Sequence, residues 1–180
     1  MSLKDKNIIL SVIVPCFNEI KTISAVVDNI LNSPINLLEI IIVDDFSSDG
    51  SREFLKNLKN EKIKTVFHDK NLGKGAALSN GISLARGKII IIQDADLEYD
   101  PNEYPNIISP ILDGKADIVY GSRFQGGQPH RVVYFWHRIG NGLLTLLSNI
   151  FTDLNLTDME TCYKAFRSDI IKKIPIEEKR

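Results

Sequence analysis

Ile89-Ile90-Ile91-Ile92-Gln93-Asp94-Ala95-Asp96-Leu97-Glu98 passes from wholly apolar to acidic within a few residues. Four consecutive isoleucines are too few for an amphipathic helix and show no polar alternation, which is how a strand covered on both faces reads. In an extended segment, residues i and i+2 point the same way, so Asp94 and Asp96 are able to share one hard cation. Mg2+ or Mn2+ suits such a pair, because these ions accept carboxylate together with substrate phosphate oxygens. A bare Asp-x-Asp is weak on its own; its place directly after a strand gives it weight.

Similar apolar runs occupy Ile8 to Val14, Leu37 to Val43, Ile63 to Phe67, Lys88 to Ile92 and Ala116 to Tyr120. Helical periodicity falls between them. Ile20, Ile23, Val26, Val27, Ile30 and Leu31 follow a cap at Asn18 and stop at Ser33-Pro34. A second helix follows Asp49-Gly50 through Phe54, Leu55 and Leu58, and a third runs from about Ala76 to Ala85, closed by Gly87. Strands alternating with helices predict an α/β chain, with a mostly parallel sheet flanked by helices on both faces. After Tyr120 comes a glycine-rich loop, Gly121 to Pro129, and then an apolar segment, Val132 to Phe151. That segment reads as an amphipathic helix, since His137, Arg138, Gly140 and Asn141 argue against a membrane span.

Ligands of an open parallel sheet sit beyond the carboxyl ends of its strands. Here those ends are Pro15-Cys16-Phe17-Asn18-Glu19, Val43-Asp44-Asp45 and Gln93-Asp94-Ala95-Asp96-Leu97-Glu98. One acidic strand end reads equally well as a helix cap; three on one edge point to a ligand. The first strand-to-helix turn has no glycine, so the dinucleotide fingerprint is missing where a dehydrogenase needs it. Gly73-Lys74-Gly75-Ala76-Ala77-Leu78 lacks a third glycine, and GxxxxGK[ST] is absent. Gly73 and Gly75 permit a tight turn into the third helix, with Lys74 available to a phosphate. His68 and His137 read as structural, and Cys16 has no flanking cation to make it a nucleophile.

Across the 180 residues, 22 Lys and Arg stand against 23 Asp and Glu, which leaves no global field to attract nucleic acid. Apolar residues at 43% and charged residues at 25% exclude a disordered tail or a disulfide scaffold. Residues 1–6 carry charge without a signal core, and Cys16 and Cys162 lack metal or redox spacing, so free thiols in a reducing, cytoplasmic compartment are expected. The sequon at Asn155-Leu156-Thr157 then reads as chance. No internal repeat or interdomain linker is visible.

Taken together, Ser11 to Glu19, Ile42 to Asp45, Asn71 to Ala77, Gln93 to Pro101, Gly121 to Phe124 and Asp158 to Phe166 resemble the family 2 glycosyltransferases of GT-A fold, and within them the polyprenyl-phosphate sugar synthases such as dolichol-phosphate mannose synthase. The resemblance implies a Rossmann-like GT-A domain over residues 1–180, with truncation at the carboxyl terminus left open, because relatives continue beyond this point. It implies that Pro15, Phe17 and Glu19 line the nucleotide site, and that Val43 and Asp45 hold base or ribose. Lys74, Asp94, Ala95 and Asp96 would meet the nucleotide sugar, and Arg123 would meet the donor phosphate or the acceptor phosphate. Asp94, Asp96 and Glu98 would bind Mg2+ or Mn2+, and Arg138 and Lys164 would meet an acceptor phosphate. Asp94, Asp96, Asp158 and Arg123 would be the catalytic group.

The implied reaction is inverting transfer of a hexose from a nucleoside-diphosphate sugar to a polyprenyl phosphate at the cytoplasmic membrane face. The 132–151 segment, with Tyr134, Phe135 and Trp136 beside Arg131 and Arg138, would rest at the membrane interface. An acceptor phosphate is largely dianionic at neutral pH and needs no base, so Asp158 would position groups. With a saccharide hydroxyl as acceptor, Asp158 would be the base. A nucleotide-sugar-binding domain without turnover is the non-enzymatic alternative. Sugar identity would depend on loops such as Gln125 to Arg131.

Overall fold

The computed structural model describes residues 8–124 and 134–179. Its strands are β1 (Leu10–Cys16), β2 (Leu38–Asp44), β3 (Ile63–Phe67), β4 (Ile89–Ile92), β5 (Ile118–Tyr120) and β6 (Lys164–Arg167). They form one sheet in the order β3-β2-β1-β4-β6-β5. β1 to β4 are parallel, and β6 runs antiparallel to both β4 and β5. The mostly parallel sheet expected from the sequence is therefore present, with one added strand. Lys164-Ala165-Phe166-Arg167 is too short and too polar at its ends to show as a strand.

The helices are α1 (Ile23–Leu31), α2 (Ser51–Asn57), α3 (Lys74–Leu84), α4 (Tyr104–Leu112), α5 (Phe135–Thr152) and α6 (Ser168–Ile171). Strand side chains alternate between two cores, as the pleat requires. Val12, Val14, Ile40, Ile42, Ile89 and Ile91 pack with Val26, Ile30, Tyr104 and Ile108 of α1 and α4. Ile13, Ile41, Val43, Ile90 and Ile92 pack with Ala77 and Ile82 of α3 and Ile171 of α6.

Two local expectations are corrected, and one helix is added. α1 starts at Ile23, because Asn18 sits at φ 58° and uses its Oδ1 to accept from the Ser48 N–H at 2.9 Å. Gly87 does not close α3, which ends at Leu84; a Cβ at 87 would lie 2.7 Å from the Ser11 nitrogen, so glycine serves close packing on β1. α4 went unseen because Pro105 and Pro110 mask it; Pro105 falls at the start of the helix, where proline costs little. The residues from Gln125 to Val133, including Arg131 and most of the glycine-rich loop, lie outside the described residues. Among the described residues, the apolar segment forms α5 from Phe135 onward.

α3 presses on the sheet at Gly81, where an added Cβ would collide with Ile13 Cγ2 and lie 3.5 Å from Val43 Cγ2. Gly81→Val is expected to overpack this contact and cost about 1–3 kcal/mol. Denaturant titration should show a lower midpoint with an unchanged slope.

Candidate active site

The carboxyl ends of β1, β2 and β4 and the start of α3 enclose a cleft of about 350 Å³. Pro15, Phe17, Glu19, Asp45, Lys74, Asp94, Ala95 and Asp96 line it, together with Cys16, Asn71, Gly73 and Ala77. Cys16 is buried, and burial, with Asp44 and Glu19 nearby, pushes its thiol up to about 12, which makes it an inert wall rather than a nucleophile. Val43 departs from the expectation: it is fully buried on the α3 side of the sheet and does not line the cleft. Val43 lies inside β2, one residue before the strand ends at Asp44, in the core that includes Ala77 of α3.

The loops of this edge are held in unusual backbone states. Asn18, Phe46 and Leu97, one beyond each of β1, β2 and β4, have φ of 58°, 68° and 64°. Such angles are genuine outliers for bulky side chains and persist only where the surroundings enforce them. Here polar side chains lace the first two loops together. The Asn18 N–H donates to Ser47 Oγ, the Glu19 N–H to Ser51 Oγ and the Ile20 N–H to Asp49 Oδ2, each at 2.9 Å.

Asp45 faces the cleft with both carboxylate oxygens engaged. Oδ1 accepts from the Leu72 N–H at 2.8 Å and from His68 Nδ1 at 2.7 Å, and Oδ2 accepts from the Gly73 N–H at 2.8 Å. Burial works against this anion, but those donors hold it below the usual carboxylate range. His68 is buried, and Asn80 Nδ2 donates to its Nε2 at 2.8 Å, so its place is structural, fastening Asp45. Asp45 in turn fastens the turn that carries Lys74.

Lys74 Nζ lies 2.7 Å from Asp94 Oδ1 and 3.4 Å from Cys162 Sγ. Burial opposes the ammonium, yet Asp94 raises its pKa above the ordinary lysine value. Below Asp94, Gln93 is a buried anchor: its Nε2 donates to the Asp94 carbonyl at 3.2 Å, and its Oε1 accepts from the Tyr104 hydroxyl at 2.9 Å. Asp96 Oδ1 accepts from the Glu98 N–H at 3.0 Å. Through the left-handed Leu97 the chain then turns, and Glu98 lines a second, larger cavity of about 910 Å³. Glu98 thus lines a different cavity from Asp94 and Asp96, and among the described residues no three acidic, histidine or cysteine side chains form a ready metal cluster. Asp94 and Asp96 both line the cleft, a hard-oxygen pair on its rim that fits Mg2+ or Mn2+ when further oxygens come from a ligand.

Arg123 lines the second cavity with Glu98, Asn141 and Glu160. Its Nε and Nη2 donate to Asp158 Oδ2 and Oδ1 at 2.8 and 2.9 Å, a bidentate pair, and its backbone N–H adds a bond to Oδ2 at 3.1 Å. Asn141 Nδ2 donates to Asp158 Oδ1 at 2.9 Å. Burial would push Asp158 up, but these donors hold its carboxyl below the usual range. Arg138 is exposed on α5, with its guanidinium 5.4 Å from the Phe124 ring; Arg123 stacks on the same ring at 5.5 Å. Lys164 is half-buried, 5.1 Å from the Tyr120 ring, and burial lowers its pKa, with Asp158 and Asp94 among the charges that act on it. Neither Arg138 nor Lys164 lines either cavity.

Sequence reasoning missed Asn141, Thr145 and Asn149 as a polar seam along α5. Asn141 reaches Asp158 and Glu160, Thr145 Oγ1 accepts from the Met159 N–H at 3.2 Å, and Asn149 brackets Leu156 through its N–H and carbonyl. Their i, i+4, i+8 spacing was the available signal. Asn71 was visible within its motif but carried no assigned role.

An open α/β sheet of this order, with a polar cleft at its parallel carboxyl edge, defines the Rossmann-like GT-A class. The chain belongs to glycosyl transferase family 2, whose profile matches residues 11–175. It is 29% identical over 181 residues to the UDP-N-acetylglucosamine–dolichyl-phosphate N-acetylglucosaminyltransferase of Methanococcus voltae, covering 91% of this chain and 71% of that protein. It is 27% identical over 173 residues to the dodecaprenyl-phosphate galacturonate synthase of Rhizobium johnstonii, covering 93% and 50%. A mannosyltransferase of Pyrobaculum calidifontis, solved with GDP-Man and Mn2+, superposes with a TM-score of 0.54 at 27% identity, over 63% of this chain and 35% of that one. The chain spans 50 to 71% of the length of the curated relatives it matches.

Because Asp158 lies below its usual value in the folded chain, its contribution to stability is complete above about 3.8 and is lost as pH falls from there through the lower native value. Asp158→Asn is expected to cost about 1–3 kcal/mol at neutral pH and to flatten the acid limb of a melting-temperature profile. An acid limb equally steep in the variant would remove Asp158 from this account.

Proposed function

We propose that this chain transfers a hexose, with inversion, from a nucleoside-diphosphate sugar to a polyprenyl phosphate at the cytoplasmic face of a membrane, acting as one GT-A unit over residues 1–180. The observation that carries the choice of acceptor is the state of Asp158. Its two oxygens are occupied by Arg123 and Asn141, and it is held below the ordinary carboxylate range, which makes it a poor proton acceptor. A hydroxyl acceptor needs a base, whereas a phosphate with a second pKa of about 6 does not. Two relatives named above also act, by name, on lipid phosphates while differing in sugar.

In this reading the nucleotide occupies the cleft beside Pro15, Phe17 and Glu19, with Asp45 holding the turn that presents Lys74 to the diphosphate. Asp94 and Asp96 would hold Mg2+ or Mn2+, which when bound would neutralise charge on the departing nucleoside diphosphate. The Mn2+ in the structure of the Pyrobaculum mannosyltransferase supports this choice. Arg123, fixed by Asp158, faces the acceptor side and is aided there by Arg138 and Lys164. An acceptor phosphate oxygen bonds to the anomeric carbon as the bond from that carbon to the donor phosphate oxygen breaks. Attack from the face opposite the leaving group inverts the centre.

α5 supplies the membrane contact. No helix among the described residues is long and apolar enough to cross a bilayer. Yet Phe135, Trp136, Leu143, Ile150 and Phe151 are 57 to 84% exposed, and the helix buries only Asn141 and Thr145. A helix with its polar seam turned inward, no acidic residue, an aromatic start and Arg138 alongside matches a lipid surface.

Asp94→Asn and Asp96→Asn are each expected to weaken Mn2+-dependent binding of UDP or GDP by more than about tenfold in calorimetry, a loss of about 1.4 kcal/mol or more. Unchanged affinity would overturn the site assignment. Radiolabelled sugar should move to polyprenyl phosphate and not to an oligosaccharide; the opposite result selects the hydroxyl acceptor, and tight donor binding with neither transfer selects a binding domain. Phe135→Ser/Trp136→Ser should abolish co-sedimentation with anionic vesicles. If light scattering instead shows these substitutions splitting a dimer, α5 is a self-association face.

A further inference from the structure

Lys74 opens α3 with its ammonium 2.7 Å from Asp94 Oδ1, so a cation of the protein already sits on one of the two carboxylates assigned above to the metal. Its backbone is clamped on both sides. The Leu72 and Gly73 N–H groups donate to Asp45, and the Gly75 N–H donates to the Lys179 carbonyl at 3.0 Å. Position 75 has to be glycine, because a Cβ there would collide with the Glu178 carbonyl. Between these fixed points the Lys74 side chain is half-exposed on a flexible four-carbon stem, and the cleft is the space it has to swing through.

An ammonium and a divalent ion bound to the same carboxylate oxygen stand only a few ångströms apart and repel each other strongly. With the cleft empty, Lys74 offsets the charge of Asp94 beside Asp96, and metal entry means that it has to leave. A donor diphosphate offers it other oxygens. We infer that Lys74 is an internal counter-ion that exchanges Asp94 for the donor's diphosphate, so that metal and nucleotide each tighten the binding of the other. The inference rests on Asp94 being a metal ligand, and it adds a role for Lys74 beyond simple phosphate contact: it suppresses metal binding to the donor-free protein. Such coupling is reciprocal by thermodynamic necessity.

The test is a titration of the full chain with Mn2+, following the free-ion signal by electron paramagnetic resonance, alone and with saturating UDP or GDP. In the unaltered chain, the better-bound nucleotide should tighten Mn2+ by about 5- to 150-fold. Lys74→Met should bind Mn2+ alone about tenfold tighter than the unaltered chain, and the gain from nucleotide should shrink toward none. Lys74→Arg, which keeps the charge, should restore much of the coupling. Mn2+ binding to Lys74→Met that is no tighter without nucleotide, or coupling of full size, overturns the inference. Asp94→Asn separates the two levels. If it abolishes Mn2+ binding, the metal assignment stands and a failure of Lys74→Met counts against the exchange alone; if Mn2+ binding survives it, the metal assignment falls.

Discussion

Burial of the central strands on both faces is the constraint from which the rest follows. β1, β2 and β4 give one set of side chains to the α1 and α4 core and the alternate set to the α3 core, so the interior of the sheet has almost no place for a polar group. What polarity the strands carry is driven to their ends. At the amino end the chain satisfies itself: Ser11 Oγ donates to Glu39, and Arg86 and Gly87 complete the network. At the carboxyl end Asp44 is closed off in the same way by Arg52 and the Ser47 N–H. Asp94 and Asp96 differ from these in facing a cleft, where partners from outside the chain can reach them.

That edge is held at a cost. Three residues in left-handed backbone, two of them bulky, each cost on the order of 1–2 kcal/mol relative to ordinary conformations. For the loops after β1 and β2, the compensation is visible in hydrogen bonds that run from loop to loop. Asn18 binds Ser47 and Ser48, Glu19 and Ile20 bind Ser51 and Asp49, and Asp45 binds the turn before α3. Each strand end is thus positioned by its neighbour. Such cross-bracing suits a site in which carboxylates must hold their spacing while ligands come and go.

Much of this was legible in the sequence because it follows from period and adjacency. The apolar runs gave four parallel strands to within two residues, and acids placed straight after β1, β2 and β4 fell on one sheet edge. What could not be read depended on contacts distant in sequence. Asp45 lines the cleft, but its bracing by His68, Leu72 and Gly73, more than 20 positions away, could not be read from its motif. Glu98 continued an acidic run, but a single left-handed residue diverted it to another cavity. Val43 shared a motif with Asp45, but Val43 lies within β2 in the core under α3, whereas Asp45 is the first residue beyond the strand. β6 owed its place to pairing with β4 and β5, which its own four residues do not announce.

α5 lines the second cavity and is tied to Asp158 through Asn141. Along most amphipathic helices the apolar stripe meets the protein and the polar side meets water. Here Asn141, Thr145 and Asn149 face the domain, and the bulk of the apolar side chains face out. The inward polar seam ends on Asp158, the carboxylate that also grips Arg123 in a bidentate pair. α5 therefore cannot tilt without pulling on Asp158, and Asp158 cannot shift without releasing Arg123. The polar seam thereby ties the orientation of α5 to Asp158, and an apolar inner face of equal size would pack without setting that register.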